Sequence, residues 1–271
     1  MKNKRILVAG GAGSIGSELV RQLSEHNKVY VLDTNESALF DLTDSLKGRD
    51  VWGRVGDIKD YKTVSDVFED FKPQIVFNAA AYKHVPLMEY TPLEAINTNV
   101  IGHYNLVHVA KTWECVERFV YVSTDKAVSA NSVMGATKRL GEIIAINNGF
   151  TVVRFGNVMG SRGSLLPIWQ RQVDAGQSIT VTDKGMDRYM MSIPDACELV
   201  VEATKHKEVG IFVMDMGEKI NIYDLAHKVV KGTKTKVELT QMRPGETLTE
   251  ELMTKEEELR AIKSGNFWII K

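Results

Sequence analysis

Short β-branched runs alternate with longer segments of helical spacing along the first half of the chain, and nothing else in the sequence constrains the fold as tightly. Ile6–Ala9, Val29–Leu32, Val51–Val55, Ile75–Phe77, Phe119–Val122 and Thr151–Phe155 read as strands. Their near-continuous apolar character suits parallel strands covered on both faces. Ser14–Ser24, Glu36–Lys47, Tyr61–Phe71, Pro92–Trp113 and Ser132–Asn147 read as helices, and in the first of these Ile15, Leu19, Val20 and Leu23 share a face. Repeated this often, the pattern predicts an α/β fold: a doubly wound parallel sheet of Rossmann type with right-handed crossovers.

Beyond Gly156 the rhythm loosens. A Gly/Ser loop (Gly160 to Ser164) leads into a helix, and a short strand follows at Ile179–Val181. Further helices are expected at Pro194–Lys205, Tyr223–Val230 and Leu248–Lys263, with a strand at Ile211–Met214. We read 1–156 as a Rossmann domain and 157–271 as a small carboxy-terminal substrate lobe. The lobe is expected to be interleaved with the last strand and helix of the main sheet, about 190–215. A formal net charge of -1 gives no global basic field for nucleic acid. Cys115 and Cys197 lack metal-ligand or disulfide spacing, which fits a reducing cytoplasm. No apolar run is long enough to be a signal segment or to cross a membrane. His103 and His108 lie five residues apart, off one helix face, so no metal site is expected.

Gly10-Gly11-Ala12-Gly13-Ser14-Ile15-Gly16 follows the first strand and opens the first helix. Gly10 permits the tight turn, Gly13 close approach of a diphosphate, and Gly16 close helix–strand packing, with the phosphates resting on the helix amino terminus. Asp33, closing the second strand, is placed to accept from an adenosine ribose and to repel a 2′-phosphate, so NAD is the expected cofactor. Asp57 and Ile58 end the third strand and would meet the adenine. Ala79, Ala80 and Ala81 end the fourth, where small side chains let the dinucleotide pass.

The expected chemistry departs from the usual pattern. None of the eight tyrosines has a lysine four residues on, so the Tyr-x-x-x-Lys pair of nicotinamide enzymes of this type is missing. Lys138 is present, but the tyrosine position holds Met134, which cannot exchange a proton. Upstream, Thr124, Asp125 and Lys126 close the fifth strand. Acid and base groups there can divide the proton transfers.

These motifs, together with Asn78 to Pro86, Arg154 to Val158, Asp187 to Tyr189 and Arg243 to Glu246, resemble the UDP-N-acetylglucosamine 4,6-dehydratases of bacterial polysaccharide biosynthesis. These belong to the extended short-chain dehydrogenase/reductase superfamily. The Asp-Lys pair with Met in place of Tyr looks like the C5-retaining branch. The tyrosine-bearing, C5-inverting branch is the nearer alternative. The best-known retaining members are membrane-anchored, and this chain would be a soluble short form.

The resemblance implies oxidation of the sugar at C4, loss of water across C5 and C6, and return of the hydride to C6, all on one NAD that is never released. It gives Lys126 as base, Asp125 as acid for the C6 hydroxyl and Thr124 as a guide for the C4 hydroxyl. Lys138 would hold the nicotinamide ribose. Lys83, His84, Met134 and Asn157 would lie beside the substrate, Arg188 and Arg243 at the UDP diphosphate, and Glu246 at the uridine ribose. The resemblance also implies a homo-oligomer, with the Pro92–Trp113 helix at the interface. A nucleotide-sugar 4-epimerase and a non-catalytic dinucleotide sensor remain rival readings.

Overall fold

The computed structural model describes residues 1–271. Its centre is a nine-stranded sheet. Six of the strands are β1 (Arg5–Ala9), β2 (Lys28–Asp33), β3 (Val51–Val55), β4 (Ile75–Asn78), β5 (Arg118–Val122) and β6 (Thr151–Arg154). They lie in the order β3-β2-β1-β4-β5-β6, with Ile211–Met214 parallel to β6. The helices α1 (Ser14–Leu23), α2 (Glu36–Ser45) and α3 (Tyr61–Phe71) follow the first three strands. Two apolar layers cover the sheet. One includes Leu19, Val20, Phe77 and Phe212; the other includes Leu7, Phe68, Leu106 and Tyr121. Burial on both faces is why the central strands β1, β4 and β5 carry unbroken apolar runs rather than an alternation, whereas the edge strand β3 is largely exposed.

Three features differ from the sequence expectation. The helix expected over Leu248–Lys263 is confined to Lys255–Arg260, opened by a capping box between Thr254 and Glu257. Upstream of it the carbonyls of Leu248 and Leu252 accept hydrogen bonds from Arg188 and Arg154, so tertiary partners claim backbone that a helix would use. Downstream, Ile262–Ser264 and Phe267–Ile270 form a hairpin whose second strand pairs antiparallel with Ile211–Met214. The chain's last strand therefore sits inside the sheet, not in a peripheral lobe. Finally, the long helix expected at Pro92–Trp113 contains a π-helical stretch, Ile96–Gly102. The distortion turns Asn99 inward. Its side chain accepts from the Tyr82 amide at 2.8 Å and donates to the Tyr82 carbonyl and to Thr137 Oγ1, each at 3.0 Å.

The remaining lobe has its own small core of Trp169, Ile179, Val181, Met186, Ile222 and Ala226. No helix is long and apolar enough to cross a membrane.

Candidate active site

A cleft of about 660 Å³ runs along the carboxyl ends of the central strands. It lies where the strand order reverses between β1 and β4, the place at which open α/β sheets leave room for a ligand.

At one end lies the glycine turn between β1 and α1. Gly10 has φ +73°, and a Cβ there would come within 2.5 Å of the Ala80 backbone. A Cβ on Gly16 would stand 2.1 Å from the Gly10 carbonyl oxygen. At Gly13 the nearest neighbour of an added Cβ is that same oxygen, at 3.1 Å, and nothing else approaches. The turn is therefore packed from behind and bare in front, at the amino terminus of α1, which fits the diphosphate of a dinucleotide. Gly13, Ser14, Ile15, Gly16, Ala79 and Ala81 border the cleft.

Gly10, Ala80, Asp33, Asp57 and Ile58 stand behind or beyond its lining. Asp33 accepts from the amides of Ala12 and Asn35, both at 2.9 Å, so the carboxylate also fixes the turn. Asp57 accepts from the Lys59 amide at 2.8 Å. Ile58 is buried, with its side chain 2.6 Å from where a Cβ on Gly102 would lie.

The loop after β4, pinned by Asn99, presents Lys83 and His84. Lys83 donates to Ser161 Oγ at 3.2 Å. Burial, then the charges of Arg162 and Lys126, lower the Lys83 pKa. Burial, then Lys83 and Arg243, lower that of His84. Arg162 donates its amide to Ser14 Oγ at 2.9 Å and its guanidinium to the Ala12 carbonyl, tying the Gly160–Ser164 loop to the glycine turn. Neither Arg162 nor Asn99 carried a sequence signal, because each acts through partners distant in the chain.

The middle of the cleft holds Thr124, Asp125 and Lys126, just past β5. Thr124 Oγ1 donates to Asp125 Oδ1 at 2.9 Å. Lys126 Nζ spends all three of its protons, on Asp125 Oδ1 at 3.0 Å, Glu250 Oε2 at 2.8 Å and Asn157 Oδ1 at 3.2 Å. Burial works against the Lys126 charge, but the carboxylates of Asp125 and Glu250 outweigh it and raise its pKa. Burial likewise opposes ionisation of Asp125, yet Lys126 and its hydrogen bonds hold it below the ordinary value. For Glu250, burial together with the Asp125 charge prevails over the neighbouring cations, and its pKa is raised. Asp125 Oδ2 is buried with no hydrogen-bond partner. These directions favour the charged forms of both Lys126 and Asp125 in the protein as it stands. Glu250, which joins them from 124 residues away, was missed for that reason.

Met134 is 2% exposed and packs with Val85, Met88 and Ala95 while still bordering the cleft. One helical turn on, Lys138 Nζ donates to the Val122 carbonyl at 2.5 Å and lies 4.0 Å above the Tyr121 ring. Burial brings its pKa down to about 7. Asn157 faces the cleft beside Lys126.

Arg188 and Arg243 both border the cleft. Arg188 donates to the carbonyls of Asp187, Thr247 and Leu248 and lies 3.4 Å from Glu250, so its fork is spent on shaping this loop. Arg243 is paired with Glu246 at the rim, its Nε donating to Oε1 at 2.9 Å. Together the cleft offers a diphosphate cradle continuous with a buried set of proton-exchanging groups.

Known proteins share this architecture. The capsular polysaccharide biosynthesis protein CapD of Staphylococcus aureus is 42% identical over 279 residues, covering 95% of this chain; the chain spans about half that relative's length, 46%. A UDP-glucose 4-epimerase of Rickettsia bellii is 32% identical over 285 residues, covering 99% of this chain and 83% of the relative. The X-ray structure of Pen from Bacillus thuringiensis superimposes with a TM-score of 0.93 at 37% identity, covering 99% of this chain and 88% of that one. The chain belongs to the polysaccharide biosynthesis protein family, which it matches over residues 6–271.

Proposed function

We propose that the protein is an NAD-dependent UDP-N-acetylglucosamine 4,6-dehydratase that retains configuration at C5 and supplies a UDP-4-keto-6-deoxy-N-acetylhexosamine to glycan synthesis. One observation carries this reading. Thr124, Asp125, Lys126 and Lys138 converge on the cleft into which the glycine turn opens, with buried Met134 where a proton-exchanging tyrosine would stand. A site that must both oxidise a sugar and eliminate water needs a hydride acceptor and at least two proton-exchanging groups. The bound dinucleotide supplies the hydride acceptor at C4.

Residues 1–156 hold the dinucleotide. The turn from Gly10 to Gly16 takes the diphosphate, Asp33 the adenosine ribose, Asp57 and Ile58 the adenine, and Ala79, Ala80 and Ala81 line the path to the nicotinamide. Lys138 holds the nicotinamide ribose. The parts of 157–271 outside the main sheet cover the UDP-sugar, with Asn157, Lys83, His84 and Met134 beside the sugar, Arg188 and Arg243 at the UDP diphosphate and Glu246 at the uridine ribose. Thr124 orients the C4 hydroxyl, Asp125 serves the C6 hydroxyl and Lys126 the C5 proton. The second reading, a nucleotide-sugar 4-epimerase, is favoured by the 32% identity to the Rickettsia bellii relative.

Incubation with UDP-N-acetylglucosamine and NAD in deuterated water, read by mass spectrometry and proton NMR, decides between them. A 4-keto-6-deoxy product with deuterium at C5 is expected. A C4 epimer of unchanged mass would establish the epimerase, and absence of turnover across a panel of nucleotide sugars would leave a binding protein.

A further inference from the structure

Lys126 presents a difficulty for the proposed reaction. A lysine takes a proton only as the neutral amine, and here Nζ is an ammonium with each of its protons already on an acceptor. Some group must relieve it of one proton after the substrate arrives. Two carboxylates touch it. Asp125 Oδ1 is satisfied twice over, by Thr124 and by Lys126 itself. Glu250 Oε2 lies nearer, at 2.8 Å, with a side chain only 8% exposed.

A proton moved onto Glu250 also has somewhere to point. Asp125 Oδ2 is fully buried and lacks a donor within the protein, and both carboxylates are gathered on the one Lys126 ammonium, at 3.0 and 2.8 Å. A buried acceptor with no donor is costly, about 1–3 kcal/mol, and a protonated Glu250 would satisfy it.

We infer that Glu250 is the proton acceptor that turns Lys126 from ammonium into base: a positioning residue that acts through Lys126 and rests on the dehydratase reading above. The Nζ–H bond of Lys126 breaks and an O–H bond forms on Glu250, which then donates to Asp125 Oδ2. No net charge enters or leaves. The Lys126 amine takes the C5 proton, and the C5–H electron pair becomes the C5–C6 double bond as the C6–O bond breaks. The proton that Glu250 gives to Asp125 passes on to the departing hydroxyl, which leaves as water. The carboxylates so formed face the Lys126 ammonium and Arg188, the charged groups that border Glu250. The preference for the proton on Glu250 over Asp125 agrees with the opposite directions in which their surroundings move the two pKa values.

The test compares Glu250→Gln and Glu250→Asp with wild type. Binding of UDP-N-acetylglucosamine is measured by calorimetry, oxidation at C4 by nicotinamide absorbance in a single turnover, and C5 exchange by deuterium incorporation. In Glu250→Gln, binding and C4 oxidation are expected to stay within about threefold of wild type, while C5 exchange and dehydration fall by about 100-fold or more, the usual range for losing a proton-transfer group. The residual rate should rise with pH as solvent takes over removal of the Lys126 proton, and Glu250→Asp should recover part of the loss. Wild-type exchange in Glu250→Gln, or equal losses of binding, oxidation and exchange in both variants, would overturn the assignment. Absence of dehydration by wild-type protein would instead count against the dehydratase reading.

Discussion

Two buried clusters of charge are built from the same kinds of group, and one segment of chain feeds both, Glu250 going to the first and Glu257 to the second. In the second, Arg154 and Glu142 have fully buried side chains and Glu257 is 3% exposed. All five N–H donors of Arg154 are used, on Glu142, Glu257 and the Leu252 carbonyl, and Ser123 adds a bond to Glu142 at 2.7 Å. In the first, Asp125, Lys126, Glu250 and Arg188 border the cleft, and one carboxylate oxygen is left without a donor. The contrast teaches that burial of charge does not by itself mark a reactive site. A closed network holds elements together; an incomplete one keeps a place for a proton or a ligand.

The sharpest way to break that comparison is Arg154→Met, which leaves two buried glutamates with only the part-exposed Arg139, at 2.8 and 3.0 Å, as a cationic partner. A loss of about 3–5 kcal/mol in denaturant unfolding is expected, as when one partner of a buried pair is removed; an unchanged midpoint would show the network to be dispensable. Asp125→Asn should do the opposite. Turnover falls by about 10²–10⁴-fold with little loss of thermal stability, and a melting loss matching that of Arg154→Met would erase the distinction.

Acid titration separates the clusters next. Burial opposes ionisation of Glu257, but its Arg154 bonds prevail and hold the carboxyl down to about 2. Because its folded pKa is depressed, the stability it contributes is present above its unfolded value of 4.5 and is lost as pH falls toward 2. The stability gap between wild type and Glu257→Gln should therefore close across that window; a constant gap would mean the charge contributes nothing.

The smallest effect concerns Lys138. With a folded pKa near 7, below its unfolded value of 10.5, the unfolded chain holds the extra proton between those limits, and stability rises with pH across them. Lys138→Met should raise the melting point by about 2–4 °C below pH 7, the advantage shrinking toward pH 10.5, while turnover is lost. A pH-independent difference would contradict the buried, easily neutralised lysine.

Legibility followed distance along the chain. The strands, the glycine turn, Asp33 and the Thr124–Lys126 run were readable because each is defined by neighbours within a few residues. Asn99 and Glu250 were not, since nothing local distinguishes an inward-turned asparagine or a glutamate beside Glu251 from a solvated one. The charge-rich stretch after Leu248 carries helical residues, but the carbonyls at Leu248 and Leu252 are claimed by arginines from other elements, and propensity yields to such partners. The charge states of Asp125 and Lys126 were likewise hidden, because burial, their mutual attraction and the distant Glu250 act on them together.

The terminal hairpin has a consequence for how the protein is made. Phe267–Ile270 pairs with Ile211–Met214, and Glu250 and Glu257 lie on the stretch that leads into it. A ribosome delivers the glycine turn and all six leading strands well before these residues emerge. The nascent chain thus carries the cradle for a dinucleotide while its Lys126 still lacks Glu250 and its Arg154 still lacks Glu257. Sheet closure and the pairing of Lys126 and Arg154 are completed together, by residues that follow the six leading strands, so a chain stalled or clipped before them is expected to hold a dinucleotide without catalysing turnover.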